Sequence, residues 1–150
     1  MSRHVAGALL VAAQLSAMAA LGLWALPPLA AARAPWPAWA LLAAAVALGA
    51  WALAANRPGN FNIRPTPREG ARLVDTGPYR WIRHPMYSAV MAGALGCLLA
   101  APGVVTAFAL ALLVPVLVVK AMLEERWMAE RHPGYRAYMA RTRRFVPGLL

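Results

Sequence analysis

The sequence predicts an all-α integral membrane protein whose four transmembrane helices form two antiparallel hairpins. Three observations lead there. Of the 150 residues, 61% are hydrophobic and only 13% charged, with mean hydropathy +0.54, about half the charge of a soluble domain. The apolar residues come in long uninterrupted runs, which a globular core does not need. The charged residues gather mostly in two places, a loop between the second and third runs and the C-terminal tail.

The first apolar run extends from Val5 to about Leu29. It exceeds the roughly 7–15 residues of a signal-peptide apolar region, so it predicts a span, ended by Pro27-Pro28. Arg33 to Pro37 make a short turn, with Trp24, Trp36 and Trp39 at interfacial depth. The second span, Trp39 to Ala55, is dominated by small residues (Ala43, Ala44, Ala45, Ala47, Gly49, Ala50). Small faces let membrane helices approach closely. Asn60 to Arg83 form a long connection, which in a compact protein is functional or disordered; Leu73-Val74, Tyr79 and Trp81 favour order. Pro85 to about Ala101 and Val104 to about Val119 are shorter runs joined by Ala-Pro-Gly, each near the lower length limit for spanning. From Lys120 the pattern turns amphipathic and carries the fourth helix beyond the bilayer. His132-Pro133-Gly134 breaks it, and Tyr135 to about Thr142 form another short helix. The whole chain reads as one domain: a helix pair over 1–55, a loop over 56–84 and a core over 85–150.

Net charge is +10 and the sequence pI about 11.5. The arginines cluster in the loop and tail, and Arg3 precedes the first span. The positive-inside rule then puts both termini, loop and tail on the cytoplasmic face, as in a bacterial inner membrane. The basic residues face anionic membrane lipids rather than nucleic acid. Cys97, the single cysteine, lies in an apolar run and reads as packing.

Two polar clusters converge on that face. One holds Tyr79, Arg83, His84 and Tyr87. Proline is favoured just inside a helix start, so Pro85 puts His84 near the N-cap, where free N–H groups and the helix dipole favour an anion. The other cluster holds Lys120, Glu124, Glu125, Tyr135, Tyr138 and Arg144. Lys120 and Glu124 share one helix face. A carboxylate pair at a helix C-terminus opposes the dipole and favours a specific partner. Several chemistries are excluded. His4, His84 and His132 lack metal-ligand spacing, so no metal is expected. There is no P-loop, Rossmann fingerprint or nucleophile elbow. Apart from Gln14, Ser16 and Thr106, the spans have almost none of the polar residues a transporter places at mid-membrane depth.

Gly77-Pro78-Tyr79-Arg80-Trp81-Ile82-Arg83-His84-Pro85-Met86-Tyr87, followed about forty residues later by Glu124-Glu125, resembles the integral-membrane methyltransferases that include isoprenylcysteine carboxyl methyltransferase and phospholipid N-methyltransferase. The tail, with Tyr135, Tyr138 and Arg-Phe-Val-Pro, looks like the same superfamily. The likeness covers roughly Leu73 to Pro147. It implies methyl transfer from S-adenosyl-L-methionine to a lipophilic or lipidated acceptor, with C-terminal helices closing over the cofactor. It implies cofactor contacts at Ala71, Arg72, Leu73, Val74, Tyr79, His84, Pro85, Met86, Tyr87 and Glu124; the same polar face adds Arg83, Tyr135 and Arg144 as candidate cofactor contacts and Lys120, Glu124 and Glu125 as catalytic candidates. Lys120 stands about where the carboxyl methyltransferases carry an arginine. Lysine lacks the fork that clamps a carboxylate, so this departure weighs against a carboxylate acceptor. The rival readings are an NADPH-dependent reductase like the membrane sterol reductases, whose C-terminal region is similar but whose chains are much longer, and a non-enzymatic membrane component. Oligomeric state stays open.

Overall fold

The computed structural model describes residues 3–56 and 73–148. Five α-helices carry the chain: α1 (Arg3–Ala30), α2 (Trp36–Ala55), α3 (Pro85–Ala100), α4 (Val104–Arg131) and α5 (Tyr135–Arg141), with a 3₁₀ turn at Gly77–Arg80 before α3. Among the described residues there is no strand, only one isolated bridge between Ile82 and Arg143.

The elements follow the sequence closely, with one correction. Pro27 and Pro28 lie inside α1 and do not end it. Their carbonyls still accept bonds from the Ala31 and Arg33 N–H groups, at 3.1 and 2.8 Å. A proline in the last turn removes a donor but leaves its own acceptor in use. α2 starts at Trp36, three residues earlier than expected, because Pro37 is accommodated in its first turn. α4 runs unbroken through Pro115.

Helices α1, α2 and α4 are each long and apolar enough to cross a membrane. α3 has 16 residues, or about 24 Å at 1.5 Å per residue, short of the roughly 30 Å hydrocarbon core. It nonetheless runs antiparallel along most of α2. Gly49 faces Ala89, Gly93 faces Ala45, and Gly96 faces Leu42 and Ala38. Small residues on both helices permit this closeness.

Consecutive helices run antiparallel, but the extensive packing pairs α2 with α3 and α1 with α4. Ala17 and Leu21 of α1 pack with Ala94 of α3 and Ala109, Leu113 and Leu117 of α4. Near the turn that joins them, α1 and α2 share a small cluster with α3, formed by Ala25, Ala38 and Ala100. One extensive pair, α2 with α3, is thus consecutive in the chain, and the other, α1 with α4, closes across it.

The 3₁₀ turn seats against the C-terminal end of α2. Gly77 has φ +57, and a Cβ there would stand 2.8 Å from Ala55 Cβ and 3.3 Å from Trp51 Nε1. Trp51 and Trp81 meet with ring centroids 5.8 Å apart. A glycine is thus required twice, for its backbone conformation and for space. Gly77→Ala should destabilise the protein by about 1–3 kcal/mol, lowering its melting temperature in detergent. Gly22→Ala, in open space on α1, should leave that temperature unchanged or slightly raised.

Candidate functional site

The polar residues meet at one end of the bundle, where α2 ends, α3 begins and α4, α5 and the tail close the chain. Pro85 opens α3 with His84 as its N-cap. The tail lies across this start as a strap. Arg83 and His84 N–H groups donate to the Arg143 and Arg144 carbonyls at 2.8 and 3.1 Å, and the Arg143 N–H donates to Trp81 O at 2.9 Å. Ser88 Oγ donates to the Phe145 carbonyl at 2.6 Å. This changes the sequence expectation of an anion site on free N–H groups at the helix start. The tail takes the His84 N–H at the N-cap and the Arg83 N–H just before it, and Tyr87 N–H turns back onto His84 O.

Glu125 is the hub. Arg83 Nε reaches its Oε1 at 2.8 Å and Arg144 Nη2 its Oε2 at 2.7 Å. His84 Nε2 stands 3.3 Å from Oε1 without the alignment of a hydrogen bond, so this buried ring nitrogen has no hydrogen-bond partner. Arg83 Nη1 also donates to the carbonyls of Thr142 and Met139, at 2.5 and 3.2 Å. The Glu125 side chain is only 4% exposed. Its oxygens are saturated by protein cations.

Glu124, one residue back, points about 100° around the helix and faces different company. Tyr87 donates its hydroxyl to Oε1 at 2.5 Å, and His84 Nδ1 lies 3.4 Å from Oε2. Its side chain keeps 22% exposure and that of Arg144 keeps 32%. These are the two charged groups of the cluster with surface left for a ligand. One turn before Glu124, buried Lys120 donates to Gln14 Oε1 of α1 at 2.5 Å and stands 5.2 Å from the Tyr87 ring centroid. The His84 ring stacks on Tyr87 at 5.4 Å with planes 4° apart, and Phe145 approaches it at 6.0 Å.

Burial disfavours a charged His84, but the carboxylates of Glu124 and Glu125, 3.4 and 3.3 Å from its two ring nitrogens, outweigh it, so its pKa is raised above the ordinary value. Burial, helped by the Glu124 charge, pushes the Tyr79 phenol up to about 12. The Tyr79 carbonyl accepts from the Tyr138 hydroxyl at 2.8 Å, and Tyr138 packs against Tyr135 at 5.7 Å. Burial likewise raises Tyr135 and Tyr138, so all three remain neutral phenols.

The structure brings Tyr79, Arg83, His84, Pro85, Tyr87, Lys120, Glu124, Glu125, Tyr135 and Arg144 together. Tyr135 is buried beneath the cluster with Tyr138. Met86 is half-buried on the first turn of α3, and Leu73 and Val74 are half-buried, without regular secondary structure, ahead of the 3₁₀ turn. Ala71 and Arg72 lie outside the described residues. Gln14, Ser88, Thr142 and Phe145 were not expected as participants. Gln14 carried a signal, a lone amide in an apolar run. The other three act through backbone carbonyls or short hydroxyls and carried none.

A family model described as phospholipid methyltransferase matches residues 37–133, which is more than half of the chain. The match takes in α2, the loop, α3 and α4, and leaves α1 and the tail outside it. No curated protein and no solved structure matches the chain.

Two outcomes follow from this geometry. Glu125→Gln leaves two guanidinium groups facing a neutral amide and should cost about 3 kcal/mol or more, read as a large drop in melting temperature. Glu124→Gln, at the partly exposed position, should cost much less. A raised folded pKa means that His84 contributes stability fully present below the ordinary imidazole value of about 6.5. That contribution is lost as pH rises through the higher folded value. Melting curves of wild type should therefore fall on the alkaline side of 6.5, and His84→Gln should flatten that dependence.

Proposed function

The chain belongs to the phospholipid methyltransferase family, whose members are membrane methyltransferases, and from that premise we propose that it transfers a methyl group from S-adenosylmethionine to a lipophilic acceptor. The observation that carries the reading is the cluster at the start of α3, where two charged groups of opposite sign, Glu124 and Arg144, retain exposed surface beside aromatic rings. The donor set fits the cofactor. Its amino-acid portion is a zwitterion, which needs one anion and one cation.

When bound, S-adenosylmethionine supplies an electrophilic methyl group on a sulfonium. The residues of this chain supply position. Glu124 holds the ammonium or the ribose hydroxyls. Arg144 holds the carboxylate while keeping its bond to Glu125. The rings of Tyr79 and Tyr87 attract a cation through their faces and flank the apolar portion. Glu125 acts through others: it fixes Arg83, Arg144 and His84. Methyl transfer is an in-line displacement that mostly needs alignment, and alignment can supply effective molarities on the order of 10⁵–10⁸ M. A lipophilic acceptor arrives through the lipid, to which the helices present large exposed apolar side chains such as Leu9, Val46, Phe108 and Leu112.

In this reading the site is cytoplasmic. Arg80, Arg126, Arg131, Arg136, Arg141, Arg143 and Arg144 lie at the site end, against Arg33 at the opposite end, as the positive-inside rule requires.

The test is calorimetry with S-adenosylhomocysteine on the detergent-solubilised chain. Wild type should bind. Glu124→Gln should bind roughly ten- to hundredfold more weakly, the usual loss of a charged hydrogen bond. Arg126→Gln, on an exposed surface, should bind like wild type. No binding by wild type, or binding of NADPH in its place, would overturn the proposal.

A further inference from the structure

On α1 the buried stripe Ala17, Leu21 and Ala25 extends one turn toward the site to Gln14, which shares that face by spacing. On α4 the buried stripe Leu113 and Leu117 extends to Lys120 and then Glu124. Both apolar stripes turn polar at the same depth, and there the two helices join through Lys120 Nζ and Gln14 Oε1 at 2.5 Å. Lysine only donates, so the contact fixes the amide orientation. The amide nitrogen lies 3.7 Å from Met18 Sδ on its own helix, which holds the oxygen toward Lys120. Lys120 is the only lysine among the fifteen Lys and Arg residues of the chain. It is 1% exposed, and its ammonium stands over the Tyr87 ring, whose hydroxyl donates to Glu124.

We infer that Gln14 is a positioning residue, holding Lys120 over Tyr87 and so setting Tyr87 and Glu124 for the ligand. α1 lies outside the matched family region and could be taken for a membrane anchor. It instead supplies one wall of the site. The ammonium is a compact charge on a flexible stem with four rotatable carbon positions. In an apolar bundle an acceptor on a neighbouring helix narrows the places it can occupy, and Gln14 of α1 is such an acceptor. Membrane helices use interhelical hydrogen bonds of this kind where polar groups would otherwise stay unsatisfied.

This inference rests on the reading of Tyr87 and Glu124 as ligand contacts, and the experiment separates the two. Labelling with [¹⁵N]lysine reports one side chain. Gln14→Leu should move the Lys120 Nζ signal, and Gln14→Glu, which retains an acceptor, should keep it hydrogen-bonded. In calorimetry with S-adenosylhomocysteine, Gln14→Leu should weaken binding by about five- to tenfold, in the range of coupled neighbours. The double variant Gln14→Leu, Lys120→Met should bind no more weakly than Lys120→Met alone. If Gln14→Leu does not fold, Gln14→Asn withdraws the carbonyl by one methylene and takes its place. An unmoved lysine signal, or fully additive losses, overturns the inference. If wild type binds no S-adenosylhomocysteine, the functional proposal fails, and the lysine signal alone then decides whether Gln14 positions Lys120.

Discussion

The structure at the polar end depends on one buried carboxylate. Glu125 ties three segments that are far apart in sequence: the start of α3 through Arg83 and His84, α4 through its own backbone, and the tail through Arg144. Removing two charges from water is costly, and a buried pair recovers that cost only when the remaining donors and acceptors are also satisfied. Here they are. Arg83 spends its other donor on the Thr142 and Met139 carbonyls, and Thr142 Oγ1 in turn donates to Tyr138 O at 2.7 Å. The result is an internal knot that specifies the placement of the strap more than it adds stability.

This knot divides labour between adjacent acids. Glu125 is enclosed by cations and organises the scaffold, whereas Glu124 retains surface and meets Tyr87 and His84. The pair looks symmetric in sequence, yet the 100° step along the helix sends one carboxylate inward to the tail and the other toward the start of α3. His84 stands between them, within 3.4 Å of both, and links their electrostatics. A titration centred on that imidazole would alter scaffold and ligand surface together.

The membrane sets the remaining constraint. With no water in the hydrocarbon, helices associate by close packing and by satisfying polar groups internally. The α2–α3 contact uses the first device, with Gly49, Gly93 and Gly96 against small or branched partners. The α1–α4 contact uses both, with an apolar stripe below and a lysine–amide bond above. Polar chemistry is thereby confined to one end, where a soluble ligand and a lipid-borne one could meet.

The sequence by itself determined the helices, their approximate ends, the antiparallel order and the two polar segments. These follow from local quantities: apolar run length, proline and glycine punctuation, and arginine placement. The pairing of Arg-His-Pro-x-Tyr with Glu-Glu was legible too, because a motif carries its own spacing. Tertiary structure alone decided that α1 packs on α4, that Glu125 is saturated while Glu124 is open, and that Gln14 reaches Lys120. It also decided that the tail occupies the N–H groups of Arg83 and of the N-cap His84 just ahead of α3. Each of these depends on which side chains meet across 19 to 106 residues of chain. Local periodicity reports the face a residue occupies, but the partner on that face is chosen by packing of the whole bundle.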